Sequence, residues 1–399
     1  MSLLNRLIFG CLFVSGCGLS SAAVAIDTAT SAKRSMTIER LYSLPSIIGT
    51  APENPTWSPD SRRLAFLWND KGMPFRDIWL TEAHGGKTLR VTRMPQLEYP
   101  SDPGTDIAKL EQAARFETDS GISELVWAPD GRHLVFALHG VFYQVLPGKP
   151  AQPLSEVGIS GADLGTSASA NAIAYRSGGD LWIARFKAGT VTTSKIHSPS
   201  REDVRVESYT WSADGKRLAF IEADLSKVPT RGIPDYLGEE TRLIEVKRPF
   251  PGEPSPARRL GVIAVTGGDV TWMDLGENLL DQIFAVRWSP NSQRLLVGKS
   301  DLYIKHRRLL ILDPVNGTSR PLLEESDPNN VTAEWWADWA PDGKGIYFIS
   351  DRDNDYHVYY QALAGGDPKA ITAGSWAVFS ARISRTGNAL FVVSNKGNA

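Results

Sequence analysis

Cysteine is scarce in this chain, which limits how the fold can be held together. The 399 residues include two cysteines, Cys11 and Cys17, and both lie close to the N-terminus. A disulfide framework is therefore excluded for the rest of the sequence. Stability must come from a hydrophobic core, and a chain of this length can bury a large one.

An excess of charge of one sign and long apolar runs are absent too. The formal net charge is −2 and the isoelectric point is near 6.3, so nothing attracts nucleic acid or anionic lipid in general. Beyond the N-terminal region, no stretch approaches the roughly 20 apolar residues that a bilayer span requires. We therefore expect no nucleic-acid partner and no membrane span.

Motifs of hydrolytic and metal chemistry are also missing. No Gly-x-Ser-x-Gly nucleophile elbow occurs, and the histidines never stand at the spacing of a two-histidine metal motif. The acidic run at 350–356 lacks the glycine and the distal glutamate of an EF-hand calcium loop. The sequence predicts no catalytic residue, no metal site and no cofactor.

The chain does contain one turn motif, which is repeated five times. The copies are WSPDSRRLAF from Trp57, WAPDGRHLVF from Trp127, WSADGKRLAF from Trp211, WSPNSQRLLV from Trp288 and WAPDGKGIYF from Trp339. Proline fixes φ, aspartate bonds its own backbone and glycine tolerates positive φ, so each copy predicts a tight turn between two strands. The five tryptophans recur at one repeat position, and we expect them to be core residues.

Strand pairs that recur every 40 to 50 residues or so are typical of a β-propeller, because isolated hairpins cannot bury a core. The sequence predicts an all-β propeller of four-stranded antiparallel blades over residues 38–399, with six complete blades and a partial seventh. Insertions are expected at about 96–121, as a loop and a helix, and at about 224–259, as a surface arm. The seventh blade looks truncated at the C-terminus, and the open ring predicts poor solubility or oligomerisation.

The N-terminus has the features of an export signal. A charged start, an apolar centre and small residues ending at Ala25 predict a signal peptide over residues 1–25, followed by a flexible tether over 26–37. Alternatively, Val14 to Cys17 form a lipoprotein box, and Cys17 is acylated as the first mature residue. Either interpretation places the protein in the periplasm or at the cell envelope, with a lipid anchor in the second case.

The order of further segments carries a family resemblance. IERLYSLPSIIG precedes the first repeat, LEQAARFETDSGI precedes the second, and a PDYL and RPFPGEP arm, KSDLYIKHRRLLILD and ITAGSWAV follow. Together they resemble the propeller of the dipeptidyl peptidase IV branch of the prolyl oligopeptidase family. That resemblance implies a ring of seven or eight blades that precedes a catalytic α/β-hydrolase domain, whose Ser, Asp and His would come after Ala399.

Individual positions depart from the family pattern. The family's Gly-x-Trp-Glu-Val segment corresponds to Gly374–Val378, with Ala377 in place of glutamate. The segment whose glutamates hold the substrate's amino terminus corresponds to Arg201–Glu207, where that motif is missing. Arg115 remains as a candidate for the arginine that contacts the substrate carbonyl.

The resemblance implies the non-catalytic propeller of a dipeptidyl peptidase IV-like serine exopeptidase, which gates and binds substrate and is inactive by itself. Its expected partners are a peptide substrate or a separate catalytic domain. The alternative is a free-standing periplasmic propeller of the Tol type that binds protein partners, in which case envelope proteins are the expected partners. A third hypothesis, an enzyme with its own site in the channel, needs residues from distant blades.

Overall fold

The computed structural model describes residues 36–98, 100, 106–154, 161–187, 190–236, 240–276, 278, 281–331, 336–384 and 386–397. The chain forms two compact units, one ending at Ser43 and one comprising Leu44–Ala399. The described end of the first unit holds the short helix α1 (Ile38–Tyr42), which is capped by the Thr37 side chain. The predicted signal segment, with Cys17 and Ala25, lies outside the described residues.

In its described residues, the second unit contains six sheets of four antiparallel strands and two sheets of two strands. The four-stranded sheets and the two-stranded sheet nearest the C-terminus are numbered in chain order as blades I–VII. Blade I contains β1 (Glu53–Trp57), β2 (Arg63–Trp68), β3 (Asp77–Glu82) and β4 (Leu89–Arg90). The helix α2 (Ile107–Thr118) comes next. Blade II contains β5 (Ile122–Trp127), β6 (Leu134–Leu138), β7 (Val141–Val145) and β8 (Gln152–Pro153). Blade III contains β9 (Ala162–Ser167), β10 (Ala172–Ser177), β11 (Asp180–Lys187) and β12 (Thr190–His197).

Blade IV is interrupted by a separate hairpin, which we call the arm. The elements of this region are β13 (Val204–Trp211), β14 (Arg217–Asp224), the arm strands β15 (Thr230–Asp235) and β16 (Arg242–Lys247), and then β17 (Ala257–Ala264) and β18 (Thr271–Trp272). The blade pairs in the order β13-β14-β17-β18, whereas β15 and β16 pair with each other. Pro234 in β15 therefore lies in a two-stranded sheet, where a missing backbone N–H is tolerated.

The remaining blades continue the pattern. Blade V contains β19 (Gln282–Trp288), β20 (Leu295–Ser300), β21 (His306–Leu312) and β22 (Ser319–Ser326). Blade VI contains β23 (Ala337–Trp339), β24 (Gly345–Asp353), β25 (Asp355–Ala362) and β26 (Lys369–Ala370). Blade VII contains β27 (Val378–Ile383) and β28 (Leu390–Ser394). In the described part of the chain, the predicted propeller of six complete blades and a partial seventh is confirmed.

Each repeat turn is held by its own side chains. The Ser58 hydroxyl donates to the Asp60 carboxylate at 2.6 Å and accepts from the backbone N–H of Arg63 at 2.9 Å. Ser61, which follows Asp60, has a positive φ of 58°. Glycine adopts such a φ more easily, and Gly131 stands at the equivalent position of blade II. The repeated Ser/Ala-Pro-Asp-Gly sequence is therefore sufficient to close the hairpin between the first two strands of a blade.

The core is distributed between neighbouring blades. Ala65 and Leu67 of blade I pack with Trp127 of blade II, and Ala219 of blade IV packs with Trp288 of blade V. Since both faces of a blade are covered, the second strands are buried along their length, and β6 and β20 have no exposed residue. This explains why these strands are nearly continuous apolar runs instead of alternating with polar residues.

One repeat tryptophan differs from the others. Trp127, Trp288 and Trp339 are 3%, 8% and 3% exposed, as expected for core residues, but Trp57 is 51% exposed. The prediction that all five tryptophans are core residues is wrong for Trp57, which packs into none of the core clusters in the described part of the chain, whereas Trp211 is partly buried against the core of blades III and IV. Among the described residues, none of the helices has the length and apolar character needed to cross a membrane.

Candidate functional site

The innermost strands of the blades form the wall of the candidate site, and these strands are bulged. The register of β1 shifts between Glu53 and Thr56, and the first strands of blades II, III, IV, V and VII carry comparable shifts. Three bulge residues other than glycine have positive φ: Asn54 at 49°, Asp163 at 59° and Ala285 at 49°. Each stands three positions before the repeat tryptophan or the residue that replaces it.

A bulge changes the direction in which the strand's side chains point. In blades I to IV, the residues three positions before the repeat position are Asn54, Glu124, Asp163 and Ser208, and all of them line one cavity. This cavity has a volume of about 860 Å³ and runs along β1, β5, β9 and β13. We call it the channel cavity.

The two acids of the channel cavity are fixed by hydrogen bonds between blades. The Glu124 carboxylate accepts from the backbone N–H groups of Asp163 at 2.9 Å and of Leu164 at 2.7 Å, which joins blade II to blade III. Asp163 forms an ion pair with Arg176, and Arg176 also donates to the carbonyl oxygen of Val206 at 3.0 Å in blade IV. The two carboxylates are therefore held in place and give the wall a rigid polar surface.

Tyr209 closes one side of the channel cavity and acts as a neutral hydrogen-bond donor. Its hydroxyl donates to the carbonyl oxygen of Ala174 at 2.6 Å and also contacts the carbonyl oxygen of Asp163. Burial, together with the nearby carboxylates of Asp163 and Glu124, raises the pKa of Tyr209 well above its ordinary value. A Cβ on Gly165 would lie 2.8 Å from the hydroxyl oxygen of Tyr209, so this close approach requires glycine.

A second polar cluster lies at the end of β14 and the start of β17. Arg258 donates to both carboxylate oxygens of Glu207, at 2.6 Å and 2.9 Å, and these hydrogen bonds lower the pKa of Glu207. Glu222 accepts from His197 at 2.8 Å and from Arg259 at 2.6 Å. Burial alone would raise the pKa of Glu222, but these hydrogen bonds hold it below its ordinary value.

The segment Arg201–Glu207 belongs to this cluster, and it is where the family resemblance places the glutamates that hold a substrate amine. Arg201 forms an ion pair with Asp224, and Glu207 is occupied by Arg258. A cavity of about 290 Å³ is lined by Arg201, Arg258 and Arg259 together with Glu222 and Asp224. The arginines outnumber the carboxylates, so the cavity is not an acidic pocket for an ammonium group.

Arg115 lies on α2 with its side chain 71% exposed, and its guanidinium is 3.9 Å from the Glu111 carboxylate one turn away. It is not among the residues that line the channel cavity. Arg115 and the channel acids are therefore separate features. Among the described residues, no group of three or more His, Cys, Asp or Glu side chains is arranged to hold a metal ion.

Sequence reasoning did not identify Asn54, Glu124, Asp163 or Ser208 as channel residues. The signal that finds them is a fixed offset of three positions before the repeat tryptophan. In blade III the repeat position itself is occupied by Thr166 instead of a tryptophan. The offset of three therefore has to be counted from the strand pairing. Arg176 pairs with Asp163 from 13 residues away, and Arg258 pairs with Glu207 from 51 residues away. Neither arginine belongs to a sequence motif.

The fold and the bulged channel wall define a β-propeller protein. Residues 160–398 match the family model described as "Dipeptidyl peptidase IV (DPP IV) N-terminal region", and the chain belongs to this family.

Curated relatives support the same assignment. A probable dipeptidyl peptidase 4 of Neosartorya fischeri is 22% identical over 306 residues, which cover 67% of this chain and 39% of that protein. A probable dipeptidyl-aminopeptidase B of Arthroderma gypseum is 22% identical over 404 residues, which cover 85% of this chain and 43% of that protein. The chain thus spans less than half the length of these curated relatives.

Solved structures agree with the fold. The crystal structure of Porphyromonas gingivalis dipeptidyl peptidase 4 has a TM-score of 0.65 and 17% sequence identity. The match covers 84% of this chain and 49% of that chain. At this level of identity, the comparison shows a shared fold.

Proposed function

We propose that this chain is the non-catalytic propeller part of a dipeptidyl peptidase IV-like serine exopeptidase, in which it admits and binds peptide substrate. The observation that carries the proposal is the family match over residues 160–398, together with a channel cavity walled by the innermost strands. The catalytic α/β-hydrolase domain is supplied outside residues 1–399. Peptide substrate and that domain are the proposed partners.

The chemistry of the channel cavity supports binding without a reaction. Its carboxylates, Glu124 and Asp163, are held by backbone N–H groups and by Arg176, and its phenol, Tyr209, is kept protonated by burial. None of these groups is paired with a nucleophile in the manner of a Ser-His-Asp triad. A wall of fixed donors and acceptors instead suits the backbone of an extended peptide.

A binding and hydrolysis experiment tests this function. The full chain is mixed with a dipeptidyl p-nitroanilide to detect hydrolysis and with a fluorescent proline-containing peptide to measure anisotropy. Ser123 is exposed on β5 and lines the channel cavity, so Ser123→Trp should narrow it and weaken peptide binding at least fivefold. Thr192→Trp, on the exposed outer strand of blade III, is the matched control and should leave binding unchanged.

Two results would contradict the proposal. Hydrolysis by the purified chain would show that it carries its own catalytic site. Equal peptide binding by Ser123→Trp and Thr192→Trp would show that the channel cavity is not the binding surface.

We also propose that the protein is exported, on the strength of the N-terminal signal pattern. Mass spectrometry of the mature N-terminus distinguishes cleavage after Ala25 from acylation of Cys17. An intact Met1 in the mature protein would contradict both routes.

A further inference from the structure

Three arginines line the small cavity between the end of β14 and the start of β17. The cavity has a volume of about 290 Å³, and its charged lining residues are Arg201, Arg258, Arg259, Glu222 and Asp224. The lining therefore carries three positive and two negative side chains. One added carboxylate balances this surplus, which makes an anion the complementary ligand.

Two of the three guanidinium groups are held in fixed orientations. Arg258 donates through Nε and Nη2 to Glu207, and Arg259 donates through Nε and Nη2 to Glu222. The Arg259 guanidinium also lies 3.6 Å from the centre of the Trp272 ring, which is a cation–π contact. Among the described residues, the Nη1 groups of Arg258 and Arg259 have no acceptor, so both arginines keep N–H donors for a ligand.

The third arginine is the most exposed of the three. The Arg201 side chain is 57% exposed and forms an ion pair through Nη2 with Asp224, whose side chain is 30% exposed. Exposed ion pairs contribute little to stability. Arg201 can therefore exchange Asp224 for a carboxylate of a ligand at small cost.

Glu207 does not remove the positive surplus, although it binds Arg258. The hydrogen bonds from Arg258 contribute most to lowering the pKa of Glu207, and the charges of Arg205 and Arg176 lower it further. One carboxylate thus faces three arginines. The whole network contains five arginines and four carboxylates, which are Arg176, Arg201, Arg205, Arg258 and Arg259 against Asp163, Glu207, Glu222 and Asp224.

Blade IV is enclosed by its neighbours, so the cavity does not arise from an open end of the ring. Leu218 of blade IV packs with Leu181 of blade III, and Ala219 of blade IV packs with Leu295 of blade V. The lining residues belong to blade IV and to the segment that enters it. The positive surplus is therefore a property of a complete blade.

We propose that this cavity binds the carboxylate of a peptide through Arg201, Arg258 and Arg259. An acidic side chain and a free C-terminus are the two sources of that group, and both offer the same pair of oxygens to a guanidinium. The inference rests on the proposed peptide-binding function and adds the class of peptide. The segment Arg201–Glu207 thus serves a negative group, where the family resemblance places residues for a positive one.

Fluorescence anisotropy with three labelled proline-containing peptides of one length tests the proposal. The first peptide has one glutamate and an amidated C-terminus, and the second has glutamine and a free C-terminus. The third has glutamine and an amidated C-terminus. At low ionic strength, at least one of the first two should bind the full chain at least fivefold more tightly than the third. The peptide that does so identifies the source of the carboxylate.

Three variants locate the preference for a carboxylate. Arg201→Gln should lower it at least threefold, because one guanidinium is lost. Asp224→Asn should raise it at least twofold, because the competing charge is removed while an oxygen still accepts from the backbone N–H of Ser226. Arg308→Gln is the matched control and should leave the preference unchanged, because the Arg308 side chain is also 57% exposed and its ion pair lies outside the cavity.

Equal binding of the three peptides by wild type would overturn the proposal and leave peptide binding itself intact. So would a preference that Arg201→Gln keeps as high as Arg308→Gln does, or one that Asp224→Asn lowers. If no peptide binds, the proposed function fails, and calorimetric titration with glutarate then tests the cavity alone. Glutarate binding that weakens at least threefold in Arg201→Gln and not in Arg308→Gln would support the site, whereas no binding or equal binding by both variants would overturn it.

Discussion

The indole Nε1 of Trp127 donates a 3.1 Å hydrogen bond to the carbonyl oxygen of Thr56 in the preceding blade. Arg63 of that same preceding blade places its guanidinium 4.8 Å from the centre of the Trp127 ring and donates to the carbonyl oxygen of Gly131 at 3.1 Å. Trp127 is thus held on both sides by blade I. Trp57 stands at the same repeat position without these partners, so one sequence position has two different energetic roles.

Replacing the two tryptophans by alanine should separate these roles. Trp127→Ala removes a ring that is 3% exposed and should lower the free energy of unfolding by about 3–5 kcal/mol. Trp57→Ala removes a half-exposed ring and should cost less than about 1 kcal/mol. Urea unfolding followed by circular dichroism at low protein concentration measures both. Equal losses would show that Trp57 is buried in the folded monomer.

The propeller was predictable because its determinants are local. Each turn is closed by side chains within a few residues, as Ser58, Asp60 and Arg63 show, and the buried second strands are continuous apolar runs. At four of the six junctions between neighbouring blades, the repeat tryptophan then donates the same hydrogen bond to the preceding blade. The sequence pattern therefore predicted the number of blades, and the structure confirmed it.

The channel wall was not predictable in the same way. Whether Glu124 faces the channel depends on a bulge in β5, and the hydrogen bonds that hold it come from β9 in the next blade. Arg258 reaches Glu207 from 51 residues away, across the arm insertion. Such pairs depend on the position of one strand relative to another, which no local motif encodes.

Gly298 in β20 should not tolerate a methyl group. A Cβ at this position would overlap the ring of Phe284 on the neighbouring strand, and the site is buried. Gly298→Ala should therefore cost about 1–3 kcal/mol of stability through overpacking. Gly232→Ala on the arm is the matched control, because its Cβ would lie at an ordinary 3.4 Å from Leu243 and neither glycine has a positive φ.

The same urea titration compares the two glycine variants. Gly232→Ala should unfold within about 0.5 kcal/mol of wild type, or slightly later, since alanine reduces the entropy of the unfolded chain. A Gly298→Ala variant as stable as wild type would show that the Phe284 ring moves aside without loss.

Glu222 should make stability depend on pH in the acidic range. Its side chain is buried and accepts hydrogen bonds from His197 and Arg259, which hold its pKa below the ordinary value. The stabilisation that comes from a lowered carboxyl pKa is fully present above the pKa of the group in the unfolded chain, about 4.3. It is lost as the pH falls through the pKa of the group in the folded chain. The stability difference between wild type and Glu222→Gln should therefore shrink between about pH 6 and pH 3.

Urea midpoints measured across that pH range check this expectation. Glu240→Gln changes an exposed carboxyl of the arm and is the matched control, whose stability should lie within about 0.5 kcal/mol of wild type. A stability difference for Glu222→Gln that stays constant down to pH 3 would mean that Glu222 does not titrate differently in the folded and unfolded chains.

Two adjacent arginines in β21 should contribute very unequally to stability. Arg307 is 3% exposed, donates to Glu325 at 2.8 Å through Nε and reaches the carbonyl oxygen of Ile349 at 3.1 Å in blade VI. Arg308 forms a 3.3 Å ion pair with Glu324 in which both side chains are more than half exposed. Both ion pairs join an arginine of β21 to a glutamate of β22, and they differ in how far they are buried.

Replacing each arginine by methionine keeps much of the side-chain length and removes the charge. Arg307→Met leaves the Glu325 carboxylate short of a buried partner and should cost about 3–5 kcal/mol, whereas Arg308→Met should cost at most about 1 kcal/mol. Urea unfolding in low and high salt measures both values, and only the small Arg308 contribution should be screened by salt. If the Arg307→Met variant matched Arg308→Met, the Arg307 pair would not be needed to hold blade V to blade VI, and Ser350 and Arg352 of blade VI, which also bind Glu325, would suffice.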